Sequence, residues 1–375
     1  MKRYLMTPGP TPVPEEVMLA MGSPIIHHRT EEFKSLFSET LERAKKVMQT
    51  SNDVVMFASS GSGAMEAAVS NVLDEGDKAI TINAGKFGER WTKLVKAFGG
   101  QPVELIYEYG DYAKVDDIKD AIDKNGNIKA VYIQASETST GTFHPIDEIG
   151  VALREKYPEI VFVVDGITAY GAIDVKTDEW GIDVGITGSQ KALMLPPGLS
   201  LLSVSEKAKR YMRNCKNRHY YFDILGEIEA GAGKFTPAVS LVIGLKTSLG
   251  MILREGLENV FKRHASLAQA TREAVRSLGL ELLSKRPANS LTAVKAPSNI
   301  SSTDIILAMK ELGVDISNGQ GNLKGRIFRI AHLGYFFKPD ILMCISVLEI
   351  ALKKLGYSDR FGEGVKKAME LFLNE

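Results

Sequence analysis

The stretch from Asp165 to Lys191 constrains the fold of this chain more than any other part of the sequence. An apolar run, IVFVVD, ends at Asp165, and a second run, VGITGS, leads directly to Gln190 and Lys191. Short apolar runs bounded by turn residues are typical of strands buried in a parallel sheet. The pattern therefore predicts two buried strands that deliver a carboxylate and an amine to the same edge of one sheet.

A carboxylate and an amine placed in this way can hold opposite ends of one small heterocycle. The amine of Lys191 can form a Schiff base with an aldehyde, and the carboxylate of Asp165 can keep a ring nitrogen protonated. Pyridoxal phosphate carries both groups, and it is the candidate cofactor. An ordinary parallel sheet with a capping Asp and a surface Lys accounts for the same two residues, so the rest of the chain has to decide.

Length, charge and cysteine content indicate an ordinary globular protein. A chain of 375 residues exceeds one typical core, so we expect two domains. The 46 Lys and Arg residues balance 46 Asp and Glu residues, which disfavours a nucleic-acid partner or an anionic membrane surface. The two cysteines, Cys215 and Cys344, lack CxxC spacing, so we expect no disulfide scaffold and no metal site. The chain meets proline too early for a signal peptide and has no long apolar run, so we expect a cytoplasmic protein with no membrane span.

The amino-terminal segment predicts an extended arm. Residues 7–14, TPGPTPVP, carry four prolines, which exclude a helix or a central strand. We interpret residues 1–16 as a strap docked on a cleft or a subunit partner, and a solvated tail is the alternative. Gly9 would let the backbone approach a ligand closely. His28 and Arg29, which follow the arm, are further candidates for contact with substrate.

A glycine-rich turn follows the strand VVMFA and precedes a helical pattern. The turn Ser59-Ser60-Gly61-Ser62-Gly63 would leave backbone N–H groups unpaired at the positive end of a helix, which is a natural seat for phosphate. Ser62 would add a hydroxyl donor. The third glycine of a dinucleotide fingerprint is absent because Glu66 occupies its position. A plain turn capped by serine remains the alternative.

Two further loops at the ends of predicted strands offer ligand contacts, because parallel α/β sheets bind ligands at the carboxyl ends of their strands. The strand at residues 79–83 leads to Phe87, which is well placed to stack on a flat ring or else belongs to the core. The strand at residues 129–134 leads to the hydroxyl-rich loop ASETSTG. In this loop Thr138 and Ser139 either bond a cofactor oxygen or cap the turn.

The carboxyl-terminal third predicts a smaller α/β domain. Long helical patterns at 258–278, 303–312, 339–354 and 360–373 alternate with strands near 291–296 and 326–331. We therefore predict a large cofactor-binding domain at residues 17–256 and a small domain at residues 257–375. Arg326 and Arg329 lie three apart on one strand and point to opposite faces, so one of them can enter a cleft. Its apolar neighbours favour Arg329.

Five segments in this order and spacing, SGSGAMEAA, ETSTG, VVDGITAYGA, GSQKAL with PPG, and FRIAHLG, resemble the class V pyridoxal phosphate aminotransferases. The likeness is to the alanine–glyoxylate and serine–pyruvate group and covers essentially the whole chain. It implies fold type I of the pyridoxal phosphate transferases, with a mostly parallel seven-stranded sheet in the large domain and a smaller C-terminal α/β domain. It also implies a homodimer that acts on small amino-acid and 2-oxo-acid substrates.

The resemblance assigns a role to each candidate position. Lys191 resembles the Schiff-base lysine and Asp165 the partner of the ring nitrogen, while Arg329 resembles the residue that holds the substrate carboxylate. Gly9 is the second candidate for contact with the substrate. The cofactor contacts that it implies are Ser62, Gly63, Ala64, Phe87, Thr138, Asp165, Ile167, Gln190, Lys191 and, from a neighbouring subunit, Thr236. Two departures are the absence of a tyrosine before Thr236 and the presence of Ala64 where some relatives have histidine.

Three other functions share part of this pattern. A cysteine desulfurase would be expected to carry histidine before the lysine and a loop cysteine, whereas Gln190 precedes Lys191 and Cys344 lies in an apolar helical segment. An aspartate or 2-aminoethylphosphonate aminotransferase would need a second cation, which His28 or Arg29 can supply. A non-enzymatic subunit of a larger assembly has no evident use for Lys191, Asp165 and Arg329 together. We therefore expect transamination of serine or alanine with glyoxylate or pyruvate.

Overall fold

The computed structural model describes residues 2–357 and 360–374 of the chain. Residue 1 of the predicted arm and residues 358, 359 and 375 of the predicted small domain lie outside this description.

The strands of the described residues are numbered β1 to β14 in chain order. They are β1 Tyr4–Leu5, β2 Asp53–Phe57, β3 Lys78–Asn83, β4 Gln101–Ile106, β5 Ile128–Gln134, β6 Ser136–Glu137, β7 Thr142–Phe143, β8 Val161–Asp165, β9 Val184–Gly188, β10 Ser200–Val204, β11 Leu291–Lys295, β12 Val314–Asp315, β13 Ser317–Asn318 and β14 Ile327–Ala331.

The α-helices of the same residues are numbered α1 to α13. They are α1 Glu15–Met21, α2 Glu31–Val47, α3 Gly61–Ser70, α4 Gly88–Ala97, α5 Val115–Asn125, α6 Ile146–Lys156, α7 Glu206–Asn214, α8 Ile224–Ala230, α9 Val239–Glu255, α10 Leu257–Ser277, α11 Ser302–Glu311, α12 Lys338–Lys354 and α13 Glu363–Leu373. A short 3₁₀ helix spans Gly321–Leu323.

The largest sheet has seven strands in the order β2-β10-β9-β8-β5-β3-β4. Strand β10 runs antiparallel to both of its neighbours, and the other pairs are parallel. The mostly parallel seven-stranded sheet and its single late antiparallel strand confirm the predicted fold class. Strand β4 was not predicted from the sequence, because it lies at the sheet edge and its residues are exposed or half-buried rather than apolar and buried.

Alternate residues of the central strands feed two hydrophobic layers, one on each face of the sheet. In β8, for example, Val163 joins one cluster and Val164 the other. Helices α3 and α4 cover the first face, and α2, α5, α6 and α9 cover the second. Because both faces are covered, the central strands read as continuous apolar runs, and their carboxyl ends are the open part of the layer.

A third hydrophobic cluster lies in the carboxyl-terminal part of the chain. Sheet β11-β14-β13 packs there with helices α11, α12 and α13 and with part of α10. The helices and strands predicted for this region are present, with ends shifted by at most three residues. The division of the chain at residues 256 and 257 stays a prediction, since the first turn of α10 also packs against the core of the large sheet.

The amino-terminal arm is docked. Strand β1 pairs in parallel with β12, and the carbonyl of Met6 accepts a hydrogen bond from the backbone N–H of Ala331 at 3.0 Å. Further along, the backbone N–H of Thr11 donates to the carbonyl of Gln190 at 3.2 Å. The arm therefore runs from the carboxyl-terminal part of the chain to the turn that follows β9, at the carboxyl ends of the strands of the large sheet. Within the described residues, no helix is long and apolar enough to cross a membrane.

Candidate functional site

The site is built at the carboxyl ends of β8 and β9, which are neighbours near the middle of the large sheet. Asp165 is the last residue of β8 and pairs with Ile186 of β9. Lys191 follows β9 after a short turn. Asp165 is 5% exposed, and Lys191 is half-buried. The two side chains that the sequence placed at one sheet edge are therefore brought together away from bulk water.

Burial raises the pKa of the Asp165 carboxyl to about 6. The backbone N–H of Ile167, which donates to Asp165 Oδ1 at 2.9 Å, opposes this shift, and the buried Glu137 adds to it. An ionised carboxylate in this position therefore costs free energy unless a cation meets it. A protonated ring nitrogen is such a cation, which makes the environment of Asp165 suitable for a pyridinium ring.

Burial also lowers the pKa of the Lys191 amine to about 8. The guanidinium group of Arg329 acts in the same direction, while Asp165 opposes it. The Lys191 Nζ donates a hydrogen bond to the carbonyl of Pro8 at 2.6 Å. An amine with a lowered pKa has a larger free-base fraction near neutral pH, and the free base is the form that attacks an aldehyde.

The arm lies directly on this lysine. Gly9 has a φ of +139°, and a Cβ atom added there would overlap the end of the Lys191 side chain. The hydroxyl of Thr11 donates to the carbonyl of Lys191 at 2.8 Å. Gly9 is therefore required for close approach of the backbone to the amine, and any side chain at this position would displace Lys191 or the arm.

The glycine turn at residues 59–63 forms a cradle beside the lysine. Helix α3 begins at Gly61, where an added Cβ would overlap the side chain of Ile167. A Cβ at Gly188 would lie 3.3 Å from Gln190 Oε1, which is buried and has no hydrogen-bond partner among the described residues. This oxygen can only accept a hydrogen bond, so a phosphate bound here would be held by the amide nitrogen of Gln190 and by the backbone N–H groups in the first turn of α3.

Two other predicted contacts of the cradle differ in character. Gly63 packs its backbone closely against Phe222 and the Ser59 side chain, which leaves no room for a Cβ. Ala64 is fully buried in the hydrophobic layer beneath α3. Ala64 can therefore contribute a backbone N–H but no side-chain contact, and its predicted role stays a prediction.

Phe87 and Thr138 are held together by a residue that the sequence analysis did not single out. The fully buried carboxylate of Glu137 accepts hydrogen bonds from the backbone N–H groups of Phe87 at 3.2 Å and Gly88 at 2.9 Å. It also accepts bonds from the backbone N–H and the hydroxyl of Ser139. Glu137 therefore fixes the half-buried aromatic ring relative to the hydroxyl-rich loop. Burial raises the pKa of Glu137, and the hydrogen bonds from Ser139 and Gly88 oppose that rise.

Arg90 is a second residue that the sequence analysis did not single out. It lies on α4, its Nη1 donates to Ser62 Oγ at 2.7 Å, and its guanidinium lies 5.0 Å from the centre of the Phe87 ring. Its charge also reaches Asp165 and Lys191. The spacing from Phe87 to Arg90, one helical turn, is a signal that could have drawn attention to it.

Arg329 lies on β14 and is 5% exposed. Its Nε and Nη2 donate to the carbonyl of Asn318 at 3.0 and 2.8 Å, and its Nη1 donates to the carbonyl of Thr138 at 2.9 Å. Burial lowers the pKa of the guanidinium to about 10, so it stays charged at neutral pH. Arg326, by contrast, is exposed, so one of the two arginines is buried as predicted, but Arg326 lies just before β14 and the alternation along the strand does not account for its exposure.

Three other candidates lie apart from these residues. Thr236 is exposed in the loop between α8 and α9, and it lines a small cavity with Phe57, Tyr221 and Phe235. The contacts recorded for His28 and Arg29 are local, to His27. The structure therefore does not bring these three residues to Lys191 within one subunit. The described residues contain no group of three or more His, Cys, Asp or Glu side chains placed to hold a metal ion.

Comparison with known proteins places this geometry in a family. The family model described as aminotransferase class V matches residues 3–328. The chain is similar to the soluble hydrogenase 42 kDa subunit of Anabaena cylindrica, with 40% identity over 100% of the chain and 99% of that protein. It is 36% identical to a serine–glyoxylate aminotransferase of Methylorubrum extorquens and 35% identical to an L-aspartate–glyoxylate aminotransferase of Paracoccus denitrificans, over 98% of the chain and 95% of each relative.

The fold is also similar to that of an aminotransferase of known structure. The crystal structure of a ureidoglycine–glyoxylate aminotransferase from Bacillus subtilis superposes with a TM-score of 0.94 at 28% identity. The superposition covers 100% of this chain and 99% of that one. The match therefore extends over the large sheet, the carboxyl-terminal sheet and the arm.

The lowered pKa of Lys191 is testable without any substrate. We expect competitive acetylation of the cofactor-free protein, quantified by peptide mass spectrometry, to show Lys191 reacting with a midpoint near pH 8, because the fraction of free base grows as the pH rises through the pKa. Exposed Lys93 on α4 serves as the internal reference. A midpoint above about pH 10, the range of an ordinary lysine, would contradict the effect of burial.

Proposed function

The chain belongs to the class V aminotransferases, and we propose that it transfers the amino group of serine or alanine to glyoxylate or pyruvate with pyridoxal 5′-phosphate as its cofactor. The observation that carries this proposal is the buried Arg329, which has no ion-pair partner among the described residues and faces the same cluster as Lys191 and Asp165.

Arg329 has the donors needed to hold one carboxylate. A guanidinium has five N–H groups, and the three bonds to Asn318 and Thr138 use one on Nε, one on Nη1 and one on Nη2. One N–H therefore remains on each terminal nitrogen. Two parallel bonds from these nitrogens are the arrangement in which arginine binds a carboxylate most strongly. A buried guanidinium without an anion is also unfavourable, so a substrate carboxylate would be well bound here.

The residues present suit pyridoxal phosphate at each of its ends. Ser62, the backbone of the glycine turn and Gln190 would hold the phosphate, Phe87 and Ile167 would flank the ring, and Asp165 would keep its nitrogen protonated. When bound, the cofactor supplies an electron-accepting ring and an aldehyde that carries the amino group. Lys191 is then the amine that binds the aldehyde and, after release, moves the proton at the substrate Cα.

Small neutral donors fit the charges around the site better than dicarboxylic donors. Beyond Arg329, the nearby cations are directed elsewhere, since Lys86 is paired with Glu89 at 2.5 Å and Arg90 donates to Ser62 of the glycine turn. A second carboxylate on the donor would have to break one of these contacts or stay unpaired in a buried pocket, at a cost of several kcal/mol.

Aspartate or 2-aminoethylphosphonate as donor is the alternative. A specific observation favours it, since the relatives at nearly equal identity include both a serine–glyoxylate and an L-aspartate–glyoxylate aminotransferase. A non-enzymatic role as a subunit is favoured by the name of the Anabaena cylindrica relative. The intact set of Lys191, Asp165 and Arg329 supports the catalytic role over the subunit role.

We also propose that the active unit is a homodimer. Thr236 is exposed, and large apolar side chains are exposed on and near the arm and the loop before α8. Met18, Leu19, Ile25 and Tyr220 are 53%, 77%, 74% and 78% exposed. A second copy that covers these side chains would also bring its own Thr236 towards a phosphate that this subunit holds.

Replacing Lys191 with alanine tests the central assignment. Lys191→Ala should remove the visible absorbance band of the bound cofactor and abolish turnover, because no other amine replaces the lost one. Lys93→Ala is the matched control and should keep both. Transamination by Lys191→Ala at a rate near that of the wild type would refute the assignment.

Replacing Arg329 with alanine tests how the donor is held. Arg329→Ala should lower kcat/KM for every amino donor by about a hundredfold, because two charge-assisted hydrogen bonds are lost, with little change in cofactor absorbance. Exposed Arg326→Ala, on the same segment, is the control. In the wild type, kcat/KM should be higher for serine and alanine than for aspartate and 2-aminoethylphosphonate. A tenfold preference for either of the latter would establish the alternative donor class.

The dimer is tested by sedimentation at assay concentrations. We expect the wild type to sediment as a dimer and Leu19→Glu to dissociate and lose activity, because a charge would enter an apolar interface. Leu307→Glu, on a 52% exposed leucine of α11, is the control and should leave the dimer intact. A monomer with full activity would remove the proposal.

A further inference from the structure

Arg90 has no role in the function proposed above, although it contacts the candidate cofactor site at three points. It donates to Ser62 Oγ at 2.7 Å, its guanidinium lies 5.0 Å from the centre of the Phe87 ring, and its charge acts on Asp165 and Lys191. The side chain therefore connects the glycine turn before α3 with the aromatic ring that precedes α4. An arginine that only extended from the surface of α4 into solvent would make none of these contacts.

The direction of the bond between Arg90 and Ser62 is fixed by chemistry. A guanidinium has no acceptor, so Arg90 must donate, and the Ser62 oxygen must accept. The hydrogen of the Ser62 hydroxyl is then left to donate elsewhere, and the described residues offer no other hydrogen-bond partner for this side chain. The bond thus presents Ser62 as a donor towards the cradle at the start of α3.

The charge of Arg90 is not neutralised within the described residues. No Asp or Glu carboxylate of residues 2–357 and 360–374 lies within ion-pair distance of its guanidinium, whereas its helix neighbour Lys93 contacts Glu89 at 3.5 Å. An unneutralised guanidinium beside the amino terminus of a ten-residue helix produces a strongly positive potential at one spot. A group with two negative charges is the ligand that this potential favours.

We propose that Arg90 belongs to the phosphate-binding end of the cofactor site, where it orients the Ser62 hydroxyl and supplies the positive charge that the helix terminus alone does not provide. This inference rests on the proposed function, because it takes the cofactor to be pyridoxal 5′-phosphate. Arg90 acts partly through Ser62 and is in that respect a positioning residue.

The competing role for Arg90 is recognition of a second carboxylate on a dicarboxylic donor. The geometry favours the phosphate end, because the partner of Arg90 is Ser62 of the glycine turn rather than a group of the Arg329 cluster. The two roles predict changes in different measurements. A residue that binds the phosphate changes the affinity for the cofactor before any substrate is added. A residue that binds the amino donor changes the ratio of kcat/KM between one amino acid and another.

The test compares two ligands that differ in the phosphate alone. Apoenzyme of the wild type and of Arg90→Gln is titrated with pyridoxal 5′-phosphate and with pyridoxal, and the dissociation constants are measured from the absorbance of the bound form and by calorimetry. Arg90→Gln should weaken pyridoxal 5′-phosphate by about tenfold to a hundredfold, because a charged hydrogen-bond partner is lost. The dissociation constant for pyridoxal should differ by no more than about twofold between Arg90→Gln and the wild type, which corresponds to less free energy than one hydrogen bond contributes.

Three variants serve as controls. Arg90→Lys keeps the charge without the planar fork and should recover part of the loss. Lys93→Gln removes a positive charge from the same helix away from the cradle and should change neither constant. In a Ser62→Ala background the loss caused by Arg90→Gln should be smaller, because the route through the hydroxyl is already removed. Inorganic phosphate should compete with pyridoxal 5′-phosphate less well in Arg90→Gln than in the wild type.

Each other outcome is decisive. Equal losses for pyridoxal and pyridoxal 5′-phosphate would overturn the inference in favour of a purely structural role. Unchanged cofactor binding with a fall in kcat/KM confined to aspartate would assign Arg90 to the donor. If Arg90→Gln does not fold, the comparison is made with Arg90→Lys, for which an unchanged ratio of the two constants overturns the inference. A wild-type protein that binds neither ligand would refute the proposed function itself.

Discussion

The adjacency of β8 and β9 in the large sheet is the constraint on which the site depends. Parallel strands in register place their last residues at a fixed separation, and the covered faces of the sheet leave these ends as the open surface. The backbone of Asp165 is therefore held by the hydrogen bonds of the sheet, and its carboxylate is oriented by the bond from the backbone N–H of Ile167. Lys191 follows β9 after one short turn, so the position of its backbone is also fixed by the sheet. The distance between the two groups is set by the fold before any ligand binds.

Burial of charge explains the composition of the site around this framework. The five charged residues of the site are buried or half-buried, and no two of them lie within ion-pair distance of each other in the described part of the chain. They are Asp165, Glu137, Lys191, Arg329 and Arg90. Two of these groups are acidic and three are basic when ionised, so the cluster favours added anions. A substrate carboxylate at Arg329 and a phosphate near Arg90 would each reduce the cost of burial. Binding of these anions would therefore lower the free-energy cost of burying the charged side chains.

The sequence was sufficient to predict those parts of the site that follow a strand directly. Asp165, Gln190 and Lys191 lie at the ends of apolar runs, and Arg329 lies within one, so their positions follow from the period of the strand. Arg90 on α4 and Glu137 were missed because their defining hydrogen bonds join segments that are distant in the chain, and the one-turn spacing from Phe87 to Arg90 was the only local signal. Glu137, for instance, accepts hydrogen bonds from the backbone N–H groups of Phe87 and Gly88, which are 50 and 49 residues away in the chain. Such contacts have no local periodicity, and strand β4 was missed for the related reason that an edge strand need not be apolar.

The amino-terminal arm contacts both the strand that carries Arg329 and the amine of Lys191. Its β1 strand pairs with β12, and Met6 accepts a hydrogen bond from Ala331, two residues beyond Arg329 on β14. A few residues later Pro8 accepts a hydrogen bond from the Lys191 amine, and Thr11 bonds the backbone of Gln190 and Lys191. One short segment of backbone therefore joins the strand of the carboxylate-binding candidate to the amine. Because proline restricts the backbone of this segment, its bonding groups are largely ordered in advance, and the distance between the two ends varies little. A fixed distance between Arg329 and Lys191 matches the constant spacing between the α-carboxylate and the Cα atom that all α-amino acids share.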